Sequence, residues 1–596
     1  MPFHTDLADT PSNPLATTLG WLLVLALGVA AYAAGLGGQN IPSNGDELVY
    51  AHIARLTAAS QQWLPLVSEL DNMRNTKPPL LFWQAIVASN WGHDWQLGAL
   101  RLPSLVYTLL VTFAIAWTVR LIRDNWRQGL IAACVYLAFF STFRYGRPYL
   151  TSAPETFWLS LPMFALLGRA AASGHASLNW TEIKMPGWGA FVAFGLALGV
   201  GIAYKSFALI APAATALWCG LLIALPHRDA GTFARITAQV GLSTLLALGI
   251  FALWFVLDPD PAAVWREFVV GENAGKFSDA GSYWRQALAG GGSSVWVQLF
   301  AYVANAALLA PVVLGLGWAW VLDWRASRAA PASTRAVGIL VAWTVVWLLI
   351  FCIPSQRSAR YVIPAMPAVA MLIALYWQRI DRGWFVATLW ICAATFVVLP
   401  RIAWVGHGLD IASTGQLVLV IITAVIGGIL VAAGNIRPAW TRGCAIASVL
   451  LFYALFDLTM APLDGASGRF VPTRGALPVE KVIAVPTNFN GQFERFQFLL
   501  PGNDFVPYDV EGRAIGRGHG PVSADTLAEL LDGNDLVVWG QIEPGETSPP
   551  CLPECAVLAT RWVLKGRHQS GEINLGNFWY PQQWLFRREW LLMPVE

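Results

Sequence analysis

Residues able to carry acid–base and phosphate chemistry are concentrated in one polar stretch, residues 42–101, which lies between two long apolar runs. It holds the adjacent carboxylates Asp46 and Glu47, and Lys77 in front of two prolines. A carboxylate can serve as general base for a hydroxyl group, and a lysine can stabilise the negative charge of a phosphate. Because only 12% of the chain is charged, the concentration of both signs in one stretch indicates an active-site loop.

These residues also have structural alternatives. Asp46, with Ser43 and Asn44 before it, is of a type that caps the start of a helix. Lys77 and the prolines that follow can form a simple turn leading into a helix. Capping does not exclude catalysis, so both interpretations of the loop remain open at this point.

Isolated cations occur in other segments between apolar runs. Lys205 interrupts the stretch GIAYKSFALIAP, Lys276 lies in a long polar loop, and Arg360 comes just before another apolar run. A lysine at the membrane costs free energy unless it finds a partner, although a lysine at a helix end can also extend to the interface. Several cations on one face would suit a phosphate. We therefore predict a donor-phosphate site made of Lys77, Lys205, Lys276 and Arg360.

The composition is that of a membrane protein. Of the 596 residues 56% are hydrophobic, and the 30 tryptophans fit a chain with many bilayer interfaces. Thirteen apolar stretches between residues 18 and 460 could cross the hydrocarbon layer of about 30 Å. The net charge of +2 and the scattered arginines indicate no nucleic-acid partner.

Basic residues divide the loops between these stretches into two sets. Every second loop carries at least two arginines or lysines, which predicts that it faces the cytosol. The opposite set, with loops 37–99 and 258–294, then faces outward together with the C-terminal part. We predict an all-α polytopic membrane domain of about thirteen transmembrane helices at residues 1–463.

Residues 464–596 are more polar and predict a soluble α/β or α+β domain outside the cytosol. A helix is expected at residues 524–531, capped by Ser523. Cys551 and Cys555 could form a disulfide or a metal-binding pair, and the first is favoured because no second Cys or His pair lies nearby. Strands are expected at five runs: KVIAV, RFQFLL, LVVWG, AVLATRWVL and WLFRREWLLM.

Five motifs in order resemble a known family, over roughly residues 21–375. The motifs are the Asp46–Glu47 pair followed by Tyr50, K-P-P-L at Lys77–Leu80, R-L-P-S at Arg101–Ser104, E-N-x-x-[RK]-F at Glu272–Phe277, and Tyr361 before Pro364 and Pro367. The family is that of the bacterial aminoarabinose-transferase-like glycosyltransferases. These are relatives of the protein O-mannosyltransferases within the GT-C superfamily of polytopic glycosyltransferases.

The resemblance implies an inverting transfer of a sugar from a polyprenyl phosphate at the outer face of the bacterial inner membrane. Asp46 resembles the catalytic or acceptor-site carboxylate, with Glu47 assisting. Lys77, Lys205 and Lys276 resemble the cations that hold the donor phosphate. The residues that we assign to the cavity are Tyr50, Tyr361, Arg55, Glu272 and Asn273. The implied partners are the lipid-linked donor, a lipid or glycan acceptor and membrane lipids, without a nucleic acid.

The chain departs from the family pattern at two positions. Val49 stands where the family often has an arginine between the acidic pair and the tyrosine. Glu155 lies a little beyond the place where many members carry an aspartate, and it is a further candidate catalytic carboxylate. No metal site is predicted. A divalent cation is left open, because some relatives bind one near the first loop, where Glu69 and His93 are candidate ligands.

Other functional classes remain as alternatives. A transporter or flippase of lipid-linked sugars would carry charges and broken helices at mid-membrane depth. A non-enzymatic assembly factor of the cell envelope would depend on the C-terminal domain rather than on Asp46. The sugar and the acceptor stay open, and the acceptor could be lipid A, another glycolipid, a cell-wall polymer or a protein.

Overall fold

The structure is a computed structural model that describes most of the chain. The described residues are 14–38, 45–70, 73–172, 186–225, 229–277, 283–289, 291–325, 334–464, 469–473, 475–487, 491–509, 524–541, 546–565, 568 and 570–595.

The polypeptide up to Asp464 is helical wherever the structure describes regular elements. Its first helices are α1 (Pro14–Ala33), α2 (Gly45–Ala59), α3 (Leu80–Ala88), α4 (Leu97–Arg123), α5 (Trp126–Ala138), α6 (Phe140–Gly146), α7 (Ser152–Ala172), α8 (Trp188–Ile202), α9 (Ile210–Ala224) and α10 (Ala230–Leu257). They are followed by α11 (Pro261–Val264), α12 (Tyr283–Ala289), α13 (Val295–Leu299), α14 (Ala301–Ala306), α15 (Ala310–Arg325), α16 (Thr334–Ile350), α17 (Met366–Leu375), α18 (Arg382–Gly408), α19 (Thr414–Ile436) and α20 (Thr441–Asp464). A π-helical turn, Trp265–Asn273, follows α11, and a 3₁₀ turn, Ala359–Ala365, precedes α17.

Many of these helices suit a membrane. Among the described residues, 7 helices are long and apolar enough to cross a bilayer, or 8 if α5 and α6, bent by 66°, form one span. Four shorter apolar helices accompany them, such as Trp188–Ile202. Each of the thirteen apolar stretches seen in the sequence falls on one or more helices. The chain is a multi-pass membrane protein.

Small residues bring some of these helices close together. A Cβ at Gly199 of α8 would lie 2.5 Å from Ile250 Cδ1 of α10, and a Cβ at Gly195 would lie 2.9 Å from Ser243 O. Between helices that lie in lipid, such close backbone approach gives van der Waals contact that larger side chains would prevent. Glycine at both positions therefore fixes how α8 lies on α10.

A six-stranded mixed sheet follows the helical part. Its strands, in the order in which they neighbour one another, are β1 (Val471–Pro472), β5 (Cys555–Leu564), β6 (Phe586–Pro594), β4 (Leu536–Gly540), β2 (Val482–Thr487) and β3 (Asp504–Asp509). β2 is parallel to β3 and β4, whereas the pairs formed by β1, β5 and β6 are antiparallel. Phe470, Ile483 and Val538 contribute to one buried core of this domain.

Most predictions of secondary structure in this domain are confirmed. Strands occupy four of the five predicted runs, and the predicted helix is α22 (Ala524–Gly533). The exception is RFQFLL, which forms the short helix α21 (Arg495–Leu499) because Phe496 and Leu499 share one buried helical face. Ser523 lies outside the described residues. The disulfide between Cys551 and Cys555 is present, with the two sulfurs 1.94 Å apart.

Candidate active site

The first polar loop forms α2, with Asp46 and Glu47 in its first turn. The Asp46 side chain is 39% exposed and accepts a hydrogen bond from Arg360 Nη1 at 3.0 Å. The Arg360 guanidinium lies over the ring of Tyr145, 4.8 Å from its centroid. Ser43 and Asn44, the alternative capping residues, lie outside the described residues. Asp46 is thus an accessible carboxylate beside a cation.

The position of Lys77 is set by the turn before α3 and by an ion pair with Glu272. Pro79 immediately precedes α3, so the predicted proline turn does lead into a helix. Lys77 Nζ donates to Glu272 Oε1 at 2.8 Å and lies 5.9 Å from the centroid of the Tyr50 ring. Glu272 comes from the π-helical turn, a rare form that often marks functional sites. The structure therefore brings together the K-P-P-L and E-N motifs.

Lys205 lies in the turn between α8 and α9 rather than reaching towards solvent. Its Nζ donates to Glu155 Oε1 at 2.9 Å and lies 5.8 Å from the centroid of the Tyr361 ring. Burial lowers the pKa of Lys205 from 10.5, and Glu155 opposes that shift only in part. The adjacent Ser206 donates to Asn273 Oδ1 at 2.7 Å, which connects the turn to the π-helical segment.

Tyr50 lies at the centre of these groups. Burial raises its pKa well above 10.0, and the Asp46 carboxylate raises it further, while Arg360 opposes the shift. Glu272 and Glu155 act in the same direction as Asp46. The four charged groups therefore lie within electrostatic range of one phenol and form a single cluster around Tyr50.

Two other predicted site residues, Glu47 and Asn273, are buried and bonded within the protein. Glu47 is 1% exposed, and both of its oxygens accept hydrogen bonds from Arg101, at 2.6 and 2.8 Å. It also accepts from the backbone N–H of Tyr149 at 2.8 Å. Asn273 is buried and its Nδ2 donates to Phe268 O at 2.8 Å. The Lys276 side chain lies outside the described residues.

Arg55 contacts the C-terminal domain. It donates to both oxygens of Glu494, at 2.6 and 3.0 Å, and His52 Nδ1 lies 3.0 Å from the same carboxylate. The backbone N–H of Glu69 donates to His52 Nε2 at 3.2 Å. Since Nε2 accepts there, neutral His52 carries its proton on Nδ1 and donates to Glu494. One face of α2 therefore carries Asp46 and Tyr50, and another is bonded to the C-terminal domain.

Some residues of the site escaped the sequence analysis. Tyr145 was not singled out, although an aromatic residue between two arginines in a turn between apolar runs was a usable signal. Glu267 also was not singled out, and its Oε2 accepts from Asn75 N at 2.9 Å and from Asn75 Nδ2 at 3.2 Å. This contact holds the loop segment just before Lys77 against the π-helical turn.

Several buried polar atoms around Glu155 are able to make further hydrogen bonds. Its Oε2 is buried and has no hydrogen-bond partner among the described residues, and the same holds for Ser152 Oγ and Thr156 Oγ1. These atoms lie within one turn of α7 and can bind water or a hydroxyl group. Within the described part of the chain, no group of three or more His, Cys, Asp or Glu side chains could hold a metal ion. Glu69 lies 4.0 Å from His52, and His93 is exposed.

Comparison with known proteins was made by sequence and by fold. No protein-family model matches the chain. The undecaprenyl phosphate-α-4-amino-4-deoxy-L-arabinose arabinosyl transferase 1 of Sodalis glossinidius is 27% identical over 554 residues, covering 87% of this chain and 90% of that protein. The corresponding transferase of Pectobacterium carotovorum is 23% identical over 464 residues, covering 73% and 74%.

The fold comparison points in the same direction. The crystal structure of ArnT from Cupriavidus metallidurans bound to undecaprenyl phosphate superposes with a TM-score of 0.55 and 15% sequence identity, covering 96% of this chain and 98% of that one. The likeness therefore includes both the helical part and the C-terminal domain. By sequence and by fold, the chain is a homologue of the bacterial aminoarabinose-transferase-like glycosyltransferases, as its motifs indicated.

Proposed function

We propose that this protein transfers a sugar from a polyprenyl-phosphate carrier to an acceptor at the outer face of the bacterial inner membrane. The observation that carries the proposal is the cluster of ion pairs around Tyr50, where two lysines and an arginine alternate with carboxylates. We take this cluster to line the donor cavity. Cations suit a phosphate leaving group, and a carboxylate suits an acceptor hydroxyl. The homology to arabinosyl transferases supports the same reaction.

The chemistry assigned to the cavity is a single displacement. Asp46 takes the proton of an acceptor hydroxyl, whose oxygen attacks the anomeric carbon of the sugar. The bond between that carbon and the phosphate oxygen breaks, and polyprenyl phosphate leaves. Attack from the side opposite the phosphate inverts the anomeric centre. Lys77 and Lys205 stabilise the charge that develops on the leaving phosphate.

The ion pairs in the cavity suggest how a donor is accommodated. Glu272 is 33% exposed, so it can give up Lys77 to a phosphate at low cost. Glu155 is wholly buried behind Lys205 and keeps that lysine in place. Arg360 orients Asp46 and forms the edge of the phosphate site. Lys276 is retained as a fourth cation on the resemblance of its motif alone, and Glu47 is assigned to holding Arg101.

The membrane topology follows from the same proposal. We assign thirteen spans, one for each apolar stretch, with basic loops in the cytosol and the loops at residues 37–99 and 258–294 in the periplasm. The soluble domain begins after residue 463 and lies on the periplasmic side. The hydrogen bonds between α2 and Glu494 support one common side for the cavity and this domain.

The donor is assigned by class. Relatives are named for undecaprenyl phosphate carrying 4-amino-4-deoxy-L-arabinose, and we propose this amino sugar as the first donor to test. A carboxylate-rich cavity favours a sugar with an ammonium group. A lipid A-like glycolipid is the first acceptor to test, ahead of an envelope glycan or a protein.

A transporter of lipid-linked sugars is less favoured. The charged residues of the cavity lie in loops and at helix ends, such as the first turn of α7 and the turn after α8, rather than along a path through the bundle. An assembly factor without catalysis would not need these residues to converge.

The test uses the full chain in vesicles with labelled undecaprenyl-phosphate sugars and a lipid A-containing extract. Release of undecaprenyl phosphate and transfer of label to the acceptor are followed together. We expect turnover in the unaltered protein and its loss in Lys77→Met, because the leaving phosphate loses a cation. Lys481→Met removes an exposed lysine of the C-terminal domain and is the matched control.

The outcomes separate the alternatives. Lipid-linked sugar that crosses the bilayer without being cleaved would overturn the enzyme in favour of a transporter. Turnover that is equal in Lys77→Met and Lys481→Met would overturn the placement of the phosphate site. Transfer from a hexose donor but not from the amino sugar would overturn only the choice of sugar.

A further inference from the structure

An uncharged, largely apolar surface loop lies in the C-terminal domain at Ile573–Tyr580. Leu575 is fully exposed, and Phe578, Trp579 and Tyr580 are each at least 40% exposed. A contiguous apolar patch of this kind on a folded domain usually marks a contact with another molecule or with a membrane. We call these eight residues the apolar loop.

The apolar loop is a folded turn. Asn574 Oδ1 accepts from the backbone N–H groups of Gly576 and Asn577, at 2.9 and 3.2 Å. Asn577 Nδ2 donates to Glu572 O at 2.7 Å, and the ring of Phe578 stacks on that of Trp584 with 6.3 Å between centroids. Hydrogen bonds within the turn therefore hold the apolar side chains outward.

A contact with α18 sets the position of the loop relative to the membrane. Arg401 Nε of α18 donates to Trp579 O at 3.1 Å. α18 is a candidate span, Arg382–Gly408, and its first residue lies 19 residues before Arg401. At 1.5 Å per residue the two arginines are separated by about 28 Å along the helix, close to the thickness of the hydrocarbon layer. Trp579 therefore lies at the membrane surface.

The apolar loop also continues a surface that faces lipid. Trp390, Val397 and Trp404 of α18 are all about 60% exposed or more. Their spacing from Arg401, at 11, 4 and 3 residues, places them on the same side of the helix as that arginine. The exposed aromatic rings of the loop thus extend the lipid-facing side of α18 at the level where tryptophan and tyrosine prefer the headgroup region.

We propose that the apolar loop inserts into the outer leaflet and attaches the C-terminal domain to the bilayer surface. The occupant of the patch is phospholipid, with Leu575 reaching furthest into the acyl region and Trp579 and Tyr580 lying among the headgroups. The inference requires α18 to span the membrane, and it does not depend on the reaction that the protein catalyses.

The experiment places an environment-sensitive fluorescent amino acid at position 575 in the full chain. The protein is reconstituted into phosphatidylethanolamine–phosphatidylglycerol vesicles, with or without lipid brominated on the acyl chains. The control places the same probe at Val506, which is 45% exposed and belongs to β3, at the edge of the sheet furthest from β1. We expect the probe at position 575 to be quenched by brominated lipid and shielded from aqueous iodide, and the opposite at position 506.

Two results would overturn the proposal. Equal quenching by iodide at both positions would mean that the apolar loop lies in water. Shielding from iodide without quenching by brominated lipid would mean that a protein surface, such as a second copy of the chain, covers the loop. A second variant, Leu575→Asp with the probe at position 580, should reduce quenching by brominated lipid, whereas Val506→Asp should not. Because both altered side chains are exposed, neither change disturbs the core.

Discussion

Asp46 and Glu47 are neighbours in sequence but belong to two different kinds of ion pair. Asp46 meets Arg360 at a partly open surface, whereas Glu47 and Arg101 are each 1% exposed and make a two-pronged contact. An exposed pair can exchange its partner for a substrate because water screens the loss. A buried pair cannot, since a single buried charge is strongly destabilising. Exposure, rather than residue type, separates Asp46 from Glu47, and we call Glu47–Arg101 the scaffold pair.

The largest contrast is expected in turnover. Asp46→Asn should lower the rate on the order of 10²–10⁴-fold, because the amide cannot accept the proton of the acceptor. The thermal unfolding temperature in detergent should stay close to that of the unaltered protein, since the side chain is partly exposed.

Asp94→Asn is the control, since Asp94 is an exposed acid of the same polar stretch, residues 42–101. If Asp46→Asn lowers the unfolding temperature as well as turnover, the Asp46 carboxylate stabilises the fold. The contrast between Asp46 and Glu47 then fails.

The scaffold pair should respond in the opposite way. Glu47→Gln leaves Arg101 buried without its counter-charge, so we expect a loss of about 3–5 kcal/mol in stability. Denaturation followed by circular dichroism measures this.

A companion variant distinguishes charge from shape at that pair. Glu47→Gln combined with Arg101→Met removes both charges and should recover part of the stability. Turnover that disappears in a Glu47→Gln protein of unchanged stability would instead place Glu47 in the reaction.

A smaller effect is expected where the C-terminal domain meets α2. Glu494→Gln removes the negative charge to which both Arg55 and His52 are hydrogen-bonded. Hydrogen bonds to charged groups contribute about 1.5–3 kcal/mol to stability. We expect faster amide exchange in α2 and a lower kcat with little change in donor KM, because Asp46 and Tyr50 are carried on the same helix.

The exposed Asp532 of α22 gives the matched control, Asp532→Asn. Rescue of kcat by Glu494→Asp would support positioning. Identical amide exchange in the two variants would mean that the domain contact does not hold α2.

The smallest effect concerns pH. Since burial lowers the pKa of Lys205 from 10.5, this lysine loses its charge at a lower pH than a solvated lysine does. Donor binding should weaken as pH rises through that pKa, about tenfold for each further pH unit. Donor KM measured across the alkaline range should rise, and Lys205→Arg should move the rise to higher pH. A KM that is independent of pH would remove Lys205 from the phosphate site.

The sequence patterns predicted which charged residues lie together better than they predicted the partner of each residue. The motifs around Asp46, Lys77 and Glu272 were each visible as charges between apolar runs, and the fold brings them together. The contacts of Glu47 and Arg55 are with partners that lie 54 and 439 residues away, which no local pattern reveals.

The short elements of the C-terminal domain show the same limit. RFQFLL alternates well enough for a strand, yet the buried residues Phe496 and Leu499 lie three apart and form one turn of a helix. β3 went unnoticed because Pro507 interrupts its apolar residues and an aspartate stands at each end. Tertiary packing decided both cases.

The bond between α2 and Glu494 also has a consequence for biosynthesis. His52 and Glu494 are separated by 442 residues, and every helix from α3 to α20 lies between them in the chain. The ribosome therefore releases α2 long before the carboxylate that holds it exists. Until the segment after the last helix has been made and has folded, α2 has no partner at this position, so a prematurely terminated chain lacks this contact altogether.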